Sequence, residues 1–265
     1  MTKSLLIFLL LLLSDLTSAS LKDHKKTIDD ASKEEIIVDS IPPFAVYISE
    51  QGKLHPVSLP TGFNDDPQGV YDDIYVEDLS DDGVGEIVVR LATNGVNVCS
   101  KILHYNKTNR SLNELRFGDR NLCNFKVRRG FIISSYKNGA AWSEDIYTLQ
   151  GEKVNAIVSD SCIGCGEVRR KKYGSDGTIV EFLVSDDIDF EKRTPLTARV
   201  SSLLAEIYSA PDAMQSSEKN LVRGDEVFLL GFEKLSGGEN IVEFRLSGNI
   251  VIEGWLKCSD LNYNC

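Results

Sequence analysis

Asp78-Leu79-Ser80-Asp81-Asp82-Gly83-Val84-Gly85-Glu86 carries the most specific chemical signal in the chain. Oxygen-bearing side chains stand at its first, third, fifth and ninth positions, and Gly83 takes the sixth, where a sharp turn is needed. A hard cation such as calcium takes about six to eight oxygen ligands, and alternate positions of a loop can point inward around it. Asp78, Ser80, Asp82 and Glu86 would offer side-chain oxygens, and Val84 at position seven its backbone carbonyl. An EF-hand is excluded, because position twelve is Val89 and the flanks read as strands: Ile74-Tyr75-Val76 before the loop, Ile87-Val88-Val89 after it. The plainer alternative is an acidic turn that caps a hairpin.

Outward from this loop the chain continues as β-branched and aromatic runs punctuated by Gly, Asn and Asp. Expected strands include Phe44–Ser49, Ser100–Asn106, Phe131–Tyr136, Asp145–Gln150, Ala156–Asp160, Glu167–Tyr173 and Thr178–Val184. Lys137-Asn138-Gly139, Gln150-Gly151-Glu152 and Ser175-Asp176-Gly177 carry hairpin-turn chemistry, since Gly and Asn tolerate positive φ. No long amphipathic helix is evident, so the fold class is all-β and antiparallel. The charged, Pro-containing segment Asp186 to Pro195 reads as a boundary, followed by a second strand series: Leu203–Tyr208, Glu226–Phe232, Ile241–Leu246 and Ile250–Leu256.

The N-terminus gives the compartment. Lys3 precedes the apolar run Leu5 to Leu13, and Thr17-Ser18-Ala19 places small residues at a cleavage site, the pattern of a secretory signal peptide over residues 1–19. The alternative, a transmembrane anchor, needs about 20 apolar residues. Residues 20–40 are rich in charge and read as a flexible spacer, and no membrane span is expected after signal removal. Six Cys in an exported chain read as disulfides: Cys99, Cys123, Cys162, Cys165, Cys258 and Cys265. Short loops close at lower entropic cost, which favours Cys99–Cys123, Cys162–Cys165 and Cys258–Cys265. The net charge of −11 disfavours a nucleic acid partner, whose phosphates need Lys and Arg. It suits either plain solubility or long-range steering of a basic protein partner.

Two resemblances follow. The acidic loop resembles the calcium loop of FG-GAP repeats in integrin-like propellers, although that family usually carries Asp or Asn where Ser80 stands. Leu103-His104-Tyr105-Asn106-Lys107-Thr108, Ile132-Ile133-Ser134-Ser135-Tyr136-Lys137-Asn138-Gly139-Ala140 and Trp142-Ser143-Glu144-Asp145-Ile146-Tyr147 extend it. Together these look like the periplasmic integrin-like proteins of Gram-negative bacteria, which include calcium-dependent lysozyme inhibitors and, among related envelope proteins, immunity proteins. The similarity covers roughly Tyr71 to Asp160 and implies an integrin-like domain over 41–195. Farther on, Glu206-Ile207-Tyr208-Ser209-Ala210-Pro211, Leu221-Val222-Arg223-Gly224-Asp225-Glu226-Val227 and Gly254-Trp255-Leu256 resemble a bacterial SH3-like domain, implying a five-stranded barrel over 196–265. The central Trp usual in its fourth strand is replaced by Ile241-Val242-Glu243-Phe244.

The resemblances imply a non-catalytic periplasmic or secreted protein that binds a basic peptidoglycan hydrolase, with calcium as an expected cofactor. The rival expectation is an envelope protein that contacts cell-wall glycan or peptide through the SH3-like module. An enzyme is the third reading. Of the three His, His24 falls in the spacer, His55 in a loop and His104 in a strand pattern, and no Gly-x-Ser-x-Gly elbow appears. Glu144 and Asp145 are neighbours in a strand and should face opposite ways. Cys162-Ile163-Gly164-Cys165 could be a redox or zinc motif, but its β-like continuation favours a structural disulfide. Arg128-Arg129 and Arg169-Arg170-Lys171-Lys172 read as a solvated face or a binding patch, and Tyr136 and Trp142 as core residues.

Overall fold

The computed structural model describes residues 24–29, 34–41, 43–61, 63, 71–92, 95–119, 121–212, 216–246 and 250–265. The chain is all-β, and the strands among these residues fall into four antiparallel sheets taken up in chain order. The expected signal peptide lies outside the described residues.

The first sheet contains β1 (His24–Asp29), β2 (Glu34–Asp39), β3 (Ala45–Glu50) and β4 (Lys53–Val57) in sequential order. The second contains β5 (Tyr71–Glu77), β6 (Glu86–Leu91), β7 (Cys99–Asn106) and β8 (Ser111–Leu115), with β9 (Leu122–Cys123) pairing with β7. The third runs β10 (Lys126–Arg128), β11 (Phe131–Asn138), β12 (Ala141–Gln150), β13 (Lys153–Ile163), β14 (Glu167–Tyr173) and β15 (Ile179–Ser185). These three meanders stack. Ile36, Val38, Val46 and Ile48 of the first sheet share a core with Ile74, Ile87, Val89 and Leu103 of the second. Val88, Ile102 and Leu122, on the other face of the second sheet, pack against Ile132, Tyr147 and Leu149 of the third. The second sheet is thus covered on both faces. That is why Ile87-Val88-Val89 is a continuous apolar run and not an alternating one.

Two sequence expectations are corrected in this region. Residues 20–40 are not simply a spacer: Glu34–Asp39 is a strand, and Ile36 and Val38 are fully buried. The flanking charges conceal a short apolar core segment. His55 lies in strand β4 rather than in a loop. Among the described residues β4 pairs only with β3, so Pro56, which lacks an N–H, sits on an edge where it costs the ladder nothing.

The fourth sheet contains β16 (Thr197–Arg199), β17 (Leu204–Tyr208), β18 (Ser216–Val222), β19 (Glu226–Lys234), β20 (Asn240–Leu246) and β21 (Ile252–Lys257), in the order β16-β19-β20-β21-β17-β18. It has six strands where a five-stranded closed barrel was expected. The sheet curls, but the barrel does not close. A single bridge joins Val200 to Leu261, and no ladder links β16 to β18 among the described residues. Gly254 allows the close approach of β17: a Cβ there would lie 2.6 Å from Ile207 Cγ2 and 2.9 Å from the Tyr208 carbonyl oxygen.

Asp186 to Pro195 does not separate two independent bodies. Leu183 of β15 is part of the C-terminal core, alongside Val227, Leu229 and Phe244. The Leu196 N–H donates to the Leu183 carbonyl, and the Leu229 N–H to the Leu196 carbonyl. The Arg245 guanidinium also donates to the Glu181 carbonyl. Residues on both sides of the expected boundary therefore complete one core.

Candidate functional site

Strand alternation gives the third sheet two different faces. On one face, Ile133, Ile146 and Val158 pack beneath Phe190, which comes from the segment after β15. Beside that apolar patch lies a buried ionic network. Arg193 is completely buried. Its Nη1 donates to Asp160 Oδ2 at 2.6 Å, its Nη2 to Glu144 Oε2 at 2.9 Å and its Nε to the Asp187 carbonyl at 2.7 Å. Arg170 grips Asp160 from the other side, with Nε on Oδ1 at 2.7 Å and Nη2 on Oδ2 at 2.6 Å. The Ser135 hydroxyl donates to Glu144 Oε1 at 3.1 Å. Two cations meet two anions, and the segment from Asp186 to Pro195 is strapped to the sheet by this network.

The opposite face is covered by the second sheet only over the half that carries Ile132 and Leu149. The other half forms a polar pocket of about 580 Å³, and its lining includes Tyr136, Ser143, Asp145, Tyr147, Ser159 and Tyr173. Cross-strand pairing assembles it. Tyr136 lies opposite Ser143, Ser134 and Ser159 lie on either side of Asp145, and Lys171 lies beyond Ser159. Gly118 and Asp119, from the loop after β8, add a rim.

Asp145 is the floor of this pocket and is more than nine-tenths buried. The Ser159 hydroxyl donates to its Oδ1 at 2.5 Å, and the Tyr173 hydroxyl donates to Ser159 at 3.2 Å. No Arg, Lys or His forms an ion pair with Asp145 among the described residues. Burial, and then the adjacent Asp145 charge, push the Tyr147 phenol well above its ordinary pKa. Lys171, the nearby cation, is held by Glu181 at 2.8 Å, with both side chains largely exposed. Glu144 and Asp145 do face opposite ways, one into the arginine network and the other into the pocket.

The acidic loop lies at the other end of the second sheet, between β5 and β6. Asp78 turns both carboxylate oxygens onto loop amides, accepting from Asp82 N at 3.2 Å and Gly83 N at 2.8 Å. Asp82 Oδ1 accepts from Val84 N at 2.8 Å. The Ser80 hydroxyl is shielded from solvent and has no hydrogen-bond partner among the described residues. Glu86 does not join this set. Its side chain enters the core, where Oε2 accepts from Leu79 N at 3.0 Å and Oε1 lies 3.4 Å from His104 Nδ1. Ligand position nine is therefore lost, because the first residue of β6 is buried between layers. Asp78, Ser80, Asp82 and the Val84 carbonyl are what remains to fit a hard cation.

All six Cys are paired as the short loops suggested: Cys99–Cys123, Cys162–Cys165 and Cys258–Cys265. Three disulfides are consistent with an exported protein. No helix among the described residues is long and apolar enough to cross a membrane.

Much of the two basic clusters is already paired with acidic side chains. Arg128 bonds Asp189 at 2.6 Å and also Glu191, Arg129 lies 3.4 Å from Glu191, and Arg170 belongs to the buried network. Trp142 is not a core residue: it is 40% exposed near the start of β12. The pocket around Asp145 is not visible in the sequence, where Asp145 stands out only as the neighbour of Glu144. Its one signal was the alternation of Ser143, Asp145 and Tyr147 on one side of a strand whose other side carries Ile146.

No family model matches this sequence, and no curated protein matches it. A solved structure described as a Xanthomonas type IV secretion system related protein is similar to this chain at 12% identity, over 64% of this chain and 84% of that one, with a TM-score of 0.31. A likeness at that level carries no argument about fold or function.

Proposed function

We propose that this chain is a non-catalytic, exported binding protein that recognises and inhibits a basic, lysozyme-like peptidoglycan hydrolase in the periplasm, as an inhibitor or an immunity protein. The observation that carries this reading is the carboxylate-floored pocket at Asp145, set in a layered β scaffold with three disulfides and a net charge of −11. A rigid acidic receptor gains twice from a basic partner. Its field speeds encounter, and its buried carboxylate gains from a cation placed against it. The other interior carboxylates of the third sheet, Glu144 and Asp160, are already neutralised by Arg193 and Arg170, which suits a structural task.

Calcium belongs to this proposal in a restricted form. Asp78, Ser80, Asp82 and the Val84 carbonyl would hold it, and it would stiffen the turn between β5 and β6.

The test is the rate of peptidoglycan hydrolysis by basic muramidases as the mature protein is added. Saturable inhibition at near-equimolar protein is expected. Undiminished hydrolysis by every muramidase tried would overturn the reading.

A second reading has its own observation. Tyr208, Pro211, Leu235, Ile241 and Trp255 line a pocket of about 520 Å³ on the C-terminal sheet, with Glu239 and Lys257 paired at 3.1 Å beside it. Aromatic and Pro walls of this kind suit a cell-wall peptide or glycan. Retention on purified sacculi that is lost in Trp255→Ala, without inhibition of any muramidase, would favour this alternative.

A further inference from the structure

We propose that the Asp145 pocket is a receptor for a guanidinium group, an arginine side chain presented by the basic partner. This rests on the inhibitor reading and names the chemistry of its contact. The argument begins with the cost of the site. A carboxylate more than nine-tenths buried is expensive unless it is paired. On the adjacent strand the same protein solves that problem with arginine, placing Arg170 and Arg193 on Asp160. At Asp145 the described residues supply only neutral donors, the Ser159 hydroxyl on Oδ1 and the Tyr147 phenol, and a pocket opens in front of the carboxylate.

The walls discriminate between cations. Tyr136, Tyr147 and Tyr173 line the pocket, and aromatic rings are partners on which a planar guanidinium stacks. A guanidinium also brings five N–H donors. Ser143, Ser161 and Asn138 also line the pocket and carry oxygens able to accept further hydrogen bonds, while Asp119 at the rim adds negative charge. Lys171 does not fill the role from within, because Glu181 on the next strand holds its ammonium. A lysine from a partner would find the charge but could use fewer of the acceptors and less of the stacking surface.

Small probes test the pocket separately from inhibition. N-acetyl-arginine amide, N-acetyl-lysine amide and the uncharged isostere N-acetyl-citrulline amide are titrated into the full-length mature protein, followed by NMR of the Tyr ring protons. Saturable shifts at Tyr136, Tyr147 and Tyr173 are expected at millimolar arginine probe, at least 3-fold weaker with lysine and absent with citrulline. Asp145→Asn, close in shape to the native side chain, should weaken the arginine probe at least 10-fold. Asp119→Asn, at an exposed rim position that does not endanger folding, should weaken it about 2-fold.

Equal binding of citrulline and arginine, unchanged binding by both variants, or displacement of the arginine probe by a chitin oligosaccharide would overturn the proposal. Arginine binding without muramidase inhibition would uphold the pocket and defeat the inhibitor reading. Inhibition that is unaltered in Asp145→Asn would defeat the pocket and leave the inhibitor reading standing.

Discussion

Arg193 Nη1 lies 2.6 Å from Asp160 Oδ2, and both side chains are completely buried. A charge pair in this position contributes less by attraction than it costs when half of it is removed. Taking away one member leaves the other desolvated and unpaired, a loss of about 3–5 kcal/mol. Arg193→Met is therefore expected to destabilise the protein by about that amount in urea unfolding. Arg129→Ala, whose guanidinium is three-quarters exposed beside Glu191, should change stability by less than about 1 kcal/mol. Similar losses in the two variants would show that the buried network does not hold the strap.

The disulfides make unequal contributions. Cys99–Cys123 closes a loop across 24 positions between β7 and β9, whereas Cys162–Cys165 spans only three. Chain-entropy reasoning gives the longer loop about 3 kcal/mol. Replacing Cys99 and Cys123 together by Ser should lower stability by about that much, and the same change at Cys162 and Cys165 by clearly less. Thiol titration of the unreduced, denatured mature protein should detect no free thiol.

A pH dependence follows from Asp189. The hydrogen bond from Arg128 holds its carboxyl below the ordinary Asp range. A depressed folded-state pKa means that the folded protein binds fewer protons than the unfolded chain through this window. Its contribution is complete above the unfolded-state value near ~4 and is lost as pH falls through the lower folded-state value. Unfolding free energy measured from pH 6 to pH 2 in wild type and Asp189→Asn should converge at the acidic end. Curves that stay parallel throughout would contradict the assignment.

Calcium binding should depend on the loop unevenly. Titration calorimetry is expected to show heat with wild type and none with Asp78→Asn or Asp82→Asn. Glu86→Gln should keep the affinity, because Glu86 is occupied by Leu79 N and His104. Loss of binding in Glu86→Gln with retained fold would place Glu86 among the ligands after all.

Much of the fold was legible from local pattern. The paired strands around Asp78–Glu86 announced themselves by β-branched runs, and the turn at Asn138-Gly139 by a residue type that accepts its φ of 63°. The Cys pairs followed from loop length alone. What stayed hidden depends on long-range packing. Arg193 looked like part of a charged linker, and nothing local reveals that Asp160, 33 residues earlier, and Glu144, 49 residues earlier, wait for it beneath the segment. The same holds for Ile36 and Val38, which become core only when the second sheet covers them. Glu86 fits a ligand pattern by position and fails it by burial, and burial is a property of the stacked layers. The Asp145 pocket requires four strands and a loop from another sheet before it exists.

The most direct test of the recognition claim is the association rate of the mature protein with a panel of basic peptidoglycan hydrolases, including muramidases, amidases and lytic transglycosylases. Salt is varied from about 10 to 150 mM, which shortens the screening length from about 30 to 8 Å. The prediction is a one-to-one complex with at least one of them, forming at least 10-fold more slowly at the higher salt. Absence of a complex across the panel, or an association rate indifferent to salt, would contradict the account.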